Sequence, residues 1–164
     1  MTHDRFLLAI LIAIGVLVVV ALGLFFIRGD KQDYGLEDTP QGILRNYIVA
    51  LEKEDYQRAY GYLQDADGKP DFDHFRQAFL TRQLNPSLTA LQIGESKQSE
   101  EVVVVPVVVI RGSSGPFGNT YRESANALLV KDKSGDWKIA NLPYPYWGWD
   151  WYNSGVEVPV RPSP

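Results

Sequence analysis

His74 and the two acids near it, Asp71 and Asp73, are the residues of this sequence best suited to acid–base chemistry. A histidine next to a carboxylate can transfer a proton when an apolar pocket tunes its pKa. A helix that buries Phe75, however, turns His74 about 100° away from the buried face. The two acids are expected to cap that helix and to stabilise its N-terminal dipole. We therefore predict no catalytic residue, and an enzyme is the less favoured interpretation.

Residues that could hold a metal or a cofactor are scarce. The chain has no cysteine and only two histidines, which excludes disulfides, thiolate metal sites and multi-histidine centres. The stretch Asp65-Ala66-Asp67-Gly68 has part of the pattern of a calcium loop, but the remaining ligand spacing and the terminal glutamate are missing. The stretch Gly112-Ser113-Ser114-Gly115 lacks the lysine of a phosphate-binding loop. We expect no metal and no cofactor.

The charge balance argues against nucleic acid as a partner. The sequence has 16 basic and 20 acidic residues, for a formal net charge of -4. No stripe of lysine and arginine is present that could neutralise phosphates. The partner is therefore expected to be a protein, a small ligand or a lipid surface.

Residues 6–27 form an apolar run without charge or proline. As a helix this run spans about 33 Å, enough for a hydrocarbon core of about 30 Å. The alternative is a cleaved signal peptide, but cleavage after the small residues Ala21 and Gly23 would cut inside the apolar run. We predict an uncleaved transmembrane helix over 6–27 that contacts the lipid bilayer, preceded by a short cytoplasmic tail, residues 1–5.

The orientation follows from the size of the two flanks, because their lysines and arginines nearly balance. A short N-terminal tail before a large domain is typical of a signal anchor. We predict a single-pass protein of the plasma (inner) membrane, with the N-terminus inside and the C-terminal domain outside the cytoplasm. Residues 28–39 are charged and aperiodic, which indicates a juxtamembrane linker.

Three helices are predicted between residue 40 and Pro86. Each follows a residue that can cap a helix, namely Thr39, Asp55 and Asp71. Apolar residues at helical spacing follow each cap. They are Leu44, Tyr47, Ile48 and Leu51 in the first helix, Tyr56, Ala59, Tyr60 and Leu63 in the second, and Phe72, Phe75 and Phe79 in the third.

After Pro86 the pattern becomes that of strands, expected over 87–97, 101–111, 120–131 and 136–142. Valines occupy both faces of the second strand, so neither face should be wet. Pro106 at its centre predicts a bulge or bend there. Helices followed by an antiparallel meander indicate an α+β domain, with three helices packed on a curved four-stranded antiparallel sheet.

The order of these motifs resembles the nuclear-transport-factor-two-like (cystatin-like cone) superfamily, in particular its small bacterial, membrane-anchored extracytoplasmic members of unknown function. Asp55-Tyr56 and Ala59-Tyr60 match the second helix of that superfamily, and the residues GDWKI at 135–139 match its last hairpin. The resemblance covers roughly 40–142. It implies a cone-like domain but no single activity, because members range from isomerases to non-enzymatic modules.

Members of this superfamily that are enzymes or carriers use the inside of the cone. The residues that would line such a cavity here are Tyr47, Tyr60, Phe75 and Trp137. The alternative for the tyrosines is that they are core aromatics with a hydrogen-bonded hydroxyl, which is the commoner role.

Residues 143–152 form an aromatic tail, PYPYWGWDWY, with three of the four tryptophans. Alternating Trp147, Trp149 and Trp151 could lie together on the valine face of the second strand, and we favour this cover because that strand requires one. The alternatives are contact with a partner protein, with a sugar or peptide, or with the lipid interface. The candidate residues are Tyr144, Tyr146, Trp147, Trp149, Trp151 and Tyr152. The proline-rich end, residues 156–164, is expected to be extended and mobile.

These observations favour a membrane-anchored, non-catalytic extracytoplasmic domain for protein or ligand binding. Its partner would be a second copy or a membrane protein, reached through the sheet face or the aromatic tail. The alternatives are an enzyme or small-molecule carrier that uses the cone cavity, and an assembly factor of a membrane complex, which would keep the tail exposed.

Overall fold

The computed structural model describes residues 3–27, 33–96, 101–112 and 118–152. Predicted features within residues 28–32 and 153–164 lie outside this part of the chain. The chain divides into two compact units, Met1–Asp33 and Tyr34–Pro164. Each unit is taken by itself below.

The first unit contains helix α1, His3–Ile27, whose side chains are described from residue 10 to residue 23. The described side chains are apolar or glycine and exposed. Over the residues that the structure describes, no helix combines the length and the apolarity that a membrane crossing requires. The transmembrane helix predicted over 6–27 thus has no support from the structure and stays a prediction from the sequence.

The helices of the second unit are α2 (Pro40–Glu52), α3 (Tyr56–Gly61) and α4 (Phe72–Leu80). Each begins where the sequence predicts, because a side-chain oxygen of the capping residue accepts a hydrogen bond from a free backbone N–H of the first turn. The distances are 3.1 Å for Thr39 to Gly42, 3.2 Å for Asp55 to Arg58 and 2.7 Å for Asp71 to His74.

The four strands are β1 (Thr89–Ile93), β2 (Val102–Gly112), β3 (Thr120–Lys131) and β4 (Trp137–Asn141). They form one antiparallel sheet in the order β1-β2-β3-β4, which curls into a half-barrel. The predicted α+β class and antiparallel meander are confirmed. The pairing of β3 with β4 shifts register between Leu128 and Leu129.

Pro106 does not interrupt the sheet, contrary to the predicted bulge. It pairs in register with Asn126 of β3, and its carbonyl accepts a hydrogen bond of 2.8 Å from the N–H of Gly94. In an antiparallel strand the N and C=O of a residue point to the same side. The donor that proline lacks is therefore missing on the side of β1, which ends at Ile93.

The two faces of β2 differ, which corrects the prediction that neither is wet. Its inward valines are buried against the helices: Val103, Val105, Val107 and Val109. On the other face, Val102 and Val104 are exposed. Farther along the same face, Val108 and Ile110 are half-buried, so within the described residues the exposed part of the outer face lies at the start of β2.

Candidate functional site

Aromatic rings of α3, α4 and the tail pack against one another. Phe75 of α4 is fully buried, and its ring centroid lies 5.2 Å from Phe79, 5.3 Å from Trp151 and 5.5 Å from Tyr60. Most of these pairs meet edge to face, the geometry that the ring quadrupoles favour. We call Tyr60, Phe75, Phe79, Trp147 and Trp151 the aromatic interior.

The buried tyrosines use their hydroxyls to hold the backbone. Tyr47 donates to the carbonyl of Tyr146 at 2.8 Å, and Tyr60 donates to the carbonyl of Pro70 at 2.9 Å. Burial raises the pKa of the Tyr47 hydroxyl well above its usual value, and it also raises the pKa of Tyr60. Both side chains therefore stay protonated at neutral pH and act as structural donors rather than as bases.

The four residues predicted to line a cone cavity do not come together around one. Tyr47 and Phe75 are fully buried in the core, and Tyr60 is half-buried above Phe75. Trp137 lies elsewhere, on a shallow groove of about 420 Å³ beside Arg58 and Tyr62.

The aromatic tail covers the helical side of the domain, not the outer face of the sheet. The ring of Trp151 packs at 5.2 Å from Trp147 and at 6.3 Å from Phe79. Trp149, in contrast, is 80% exposed. The three tryptophans do not share a face as predicted, because residues 144–152 form turns rather than an extended strand. Of the other tail residues, Tyr146 is buried, Tyr152 is half-buried and Tyr144 is exposed.

Backbone contacts fasten the end of this tail to the loop before α4. The N–H of Tyr152 donates to the carbonyl of Gly68 at 2.9 Å, and its hydroxyl donates to the carbonyl of Gln64. Gly68 has a φ of +84°, and a Cβ there would lie 2.9 Å from the Cα of Tyr152. This position therefore requires glycine, on account of both its backbone conformation and the close approach of the tail.

A pocket of about 470 Å³ opens at the C-terminal ends of α2 and α4. Its walls are apolar and its rim is charged and polar. The apolar residues are Ile48, Leu51, Tyr56, Phe79, Leu84 and Pro86, and the polar ones include Glu52, Glu54, Arg82, Asn85 and Ser87. A volume of this size is typical of small-ligand sites, although polar residues make up about half of this lining. We call it the helix-end pocket.

The charged residues of the helix-end pocket are not neutralised by one another in the part of the chain that the structure describes. There, Glu52, Glu54 and Arg82 make no ion pair. Burial and then the Glu54 carboxylate raise the pKa of Tyr56, which keeps its hydroxyl protonated. The pocket contains no histidine, and its acids lie on the exposed rim.

His74 lies at the surface, as predicted. Its Nε2 is 3.4 Å from a carboxylate oxygen of Asp150, and both side chains contact solvent. Asp71 caps α4, as the sequence also predicts, and Asp73 lies in the first turn. Among the described residues, no group of three or more histidines or acids is placed to hold a metal ion.

The sequence reasoning missed the helix-end pocket. The sequence assigned a role only to Asp55 in the stretch Glu52 to Asp55, as the cap of the next helix, and none to Arg82. A signal was present at both positions, because α2 and α4 end without the glycine that commonly follows a helix C-terminus.

No family model and no curated protein matches the chain. Among solved structures, it is similar to a SEC-C motif containing protein from Rhodopseudomonas palustris, with 14% identity over 65% of this chain and 79% of that chain and a TM-score of 0.46. It is also similar to a protein from Campylobacter jejuni described as an NTF2-like transpeptidase, with 19% identity over 63% of this chain and 99% of that chain and a TM-score of 0.42.

Proposed function

We propose that this protein is a membrane-anchored binding domain of the nuclear-transport-factor-two-like superfamily, which recognises a ligand or a partner protein outside the cytoplasm and catalyses no reaction. One observation carries the proposal. The rings of the aromatic interior pack against one another, whereas the helix-end pocket is open, with buried apolar residues and exposed charged ones in its lining.

The arrangement of titratable groups supports binding over catalysis. General acid–base catalysis needs a proton-transferring group held in the site with a suitable pKa. The described carboxylates of the helix-end pocket, Glu52 and Glu54, are exposed, and its tyrosines have raised pKa values. Such groups can orient a charged ligand, but no described pair is placed to take up and return a proton.

A pocket-filling variant tests the binding function. Ser87 is exposed and lines the helix-end pocket, so Ser87→Trp should occupy its space. Ser134 is exposed in the turn before β4, and Ser134→Trp is the matched control. Full-length protein in detergent would be screened by thermal shift against a set of amphipathic metabolites. We expect compounds that stabilise the wild type and Ser134→Trp but not Ser87→Trp. Compounds that stabilise all three equally, or none at all, would contradict the proposal.

The anchor and its orientation are proposed from the sequence of residues 6–27. The expected result is that the protein stays in the membrane pellet after alkaline carbonate extraction. Protease added to spheroplasts should digest the C-terminal domain, because we place it outside the cytoplasm. Release into the supernatant would contradict the anchor, and protection of the domain in intact spheroplasts would contradict the orientation.

The outer face of the sheet favours a second candidate, contact with another copy or with a membrane protein of a larger complex. Val102 and Val104 are exposed there on neighbouring outward positions of β2, and apolar surface of this kind is often an interface. Val104→Arg should then lower the oligomeric mass or release the partner without unfolding the domain. An unchanged mass and an unchanged set of crosslinked partners would argue against this candidate.

A further inference from the structure

Two helices of this domain end on residues whose backbone is left-handed. Glu54 follows the last residues of α2 with a φ of +56°, and Arg82 follows those of α4 with a φ of +60°. This position is usually glycine, because a Cβ makes the left-handed conformation unfavourable. Here it holds two long charged side chains instead.

Backbone hydrogen bonds at these helix ends explain why Glu54 and Arg82 are left-handed, but they do not explain why the two residues are charged rather than glycine. The N–H of Asp55 donates to the carbonyl of Ala50 at 2.8 Å, and that of Glu54 donates to Leu51 at 3.1 Å, the two bonds of a Schellman motif. At the end of α4 the N–H of Arg82 donates to Phe79 at 3.0 Å. Glycine would make these same bonds with less strain.

Neither side chain is used by the fold in the part that the structure describes. Glu54 and Arg82 are exposed, and neither makes an ion pair there. Strained non-glycine residues concentrate where a side chain has a function. Both residues line the helix-end pocket, so the strain and the cavity are two independent observations at one place.

The charges of these residues define the ligand. Glu54, with Glu52 beside it, offers carboxylates to an ammonium group, and a helix C-terminus adds partial negative charge. Arg82 offers a planar guanidinium, which binds a carboxylate through two parallel hydrogen bonds. Leu51, Phe79 and Leu84 supply an apolar wall of the same pocket.

We propose that the helix-end pocket binds a zwitterion with an apolar body, a free amino acid or a short peptide. Glu54 takes the ammonium and Arg82 takes the carboxylate. The inference rests on the ligand-binding function proposed above and names the ligand class. The volume of about 470 Å³ falls in the range of small-ligand pockets and has room for a dipeptide.

Calorimetric titration of the full-length protein in detergent tests this directly. The probes are leucyl-leucine and free leucine, and each is also used with its amine acetylated or its carboxylate amidated. We expect the unmodified probe to bind and each modification to weaken binding at least tenfold. Tighter binding of leucyl-leucine than of leucine would identify a peptide ligand, and the reverse would identify an amino acid.

Glycine variants separate the role of the side chain from that of the backbone. Glu54→Gly and Arg82→Gly should raise the melting temperature, because strain is relieved, and should weaken binding at least tenfold. Lys53→Gly is the matched control, because Lys53 has a right-handed helical backbone with a φ of -84° and does not line the pocket. It should lower the melting temperature and leave the affinity unchanged.

The outcomes distinguish this inference from the function on which it rests. Equal binding of modified and unmodified probes, or full affinity in Glu54→Gly and Arg82→Gly, would overturn the zwitterion assignment. The same holds if neither probe binds while other compounds still stabilise the wild type and not Ser87→Trp. If no compound distinguishes the wild type from Ser87→Trp, the binding function fails as well.

Discussion

The aromatic interior and the helix-end pocket share Phe79 but differ in how their side chains are used. In the interior, rings contact rings and the Tyr60 hydroxyl donates to the backbone carbonyl of Pro70. In the pocket, charged side chains stand on strained backbone and make no ion pair among the described residues. We therefore assign stability to the interior and, under the function proposed above, ligand recognition to the pocket.

The largest expected effect is on the interior side of this comparison. Trp151→Ala removes a buried ring that contacts Phe75, Phe79 and Trp147. Such a truncation costs about 3–5 kcal/mol of unfolding free energy. Trp149→Ala removes the same side chain from an exposed position and should change stability by less than about 0.5 kcal/mol. Urea denaturation followed by circular dichroism measures both. Equal effects of the two variants would show that the tail is not part of the core.

A smaller loss is expected when a hydroxyl of the core is deleted. Tyr47→Phe leaves the carbonyl of Tyr146 without its buried donor. An unsatisfied buried polar group costs about 1–3 kcal/mol. Tyr121→Phe is the control, because Tyr121 is exposed on β3. A neutral Tyr47→Phe, measured by the same denaturation, would mean that this hydrogen bond does not hold the tail.

The pocket side should respond in the opposite direction. Glu54 has a left-handed backbone, with a φ of +56°, which glycine adopts with less strain. Glu54→Gly should therefore stabilise the domain by about 1 kcal/mol. Lys53→Gly, one residue earlier with a helical backbone, should destabilise it by about 1 kcal/mol. Opposite signs sharpen the comparison. If both variants destabilise the domain, the Glu54 side chain contributes to the fold.

The smallest effect concerns acid stability and a cluster that belongs to neither region. The Glu37 carboxylate accepts a hydrogen bond of 2.7 Å from the Tyr62 hydroxyl and one of 2.8 Å from the Arg58 guanidinium. The bond from Tyr62 and, after it, the bond from Arg58 lower the pKa of the Glu37 carboxyl below its ordinary 4.5. A carboxyl with a lowered folded-state pKa stabilises the fold above its unfolded pKa, and this contribution is lost as the pH falls through the folded value.

We therefore expect the wild type to lose more unfolding free energy than Glu37→Gln as the pH falls from 5 to the folded pKa of Glu37. The difference should be about 0.5 kcal/mol or less, because Glu37 and Arg58 both contact solvent. Denaturation at a series of pH values measures this. The exposed Glu95→Gln is the control. Parallel pH curves for the wild type and Glu37→Gln would exclude the cluster as an acid-sensitive element.

Local signals made much of the fold predictable from the sequence. The caps Thr39, Asp55 and Asp71 fix three helix starts through single hydrogen bonds within one turn, and β-branched residues with a tight turn specify the meander. The effect of Pro106 was not predictable, because it depends on where β1 ends beside it. The order of the strands along the chain does not specify which residue of a neighbouring strand lies opposite Pro106.

For the candidate site, the sequence predicted the position of His74 but not the residues of the helix-end pocket. The scarcity of histidine and the surface position of His74 follow from composition and helical spacing. The placement of Trp147 and Trp151 against α4 does not, because turns break the alternation that would place every second residue on one face. The helix-end pocket joins the ends of two helices that lie far apart in sequence, so no local pattern could bring Glu54 and Arg82 together.

Exchange of the tryptophan indole N–H protons in the unmodified protein, followed by NMR, tests the sealed interior most directly. The Nε1 of Trp151 is buried and without a hydrogen-bond partner in the described structure, whereas Trp149 is 80% exposed. We predict that the Trp151 indole proton exchanges only through global unfolding and that the Trp149 proton exchanges within the dead time. Equally fast exchange at Trp151 would contradict the account, because solvent would then enter the space that we assign to the core.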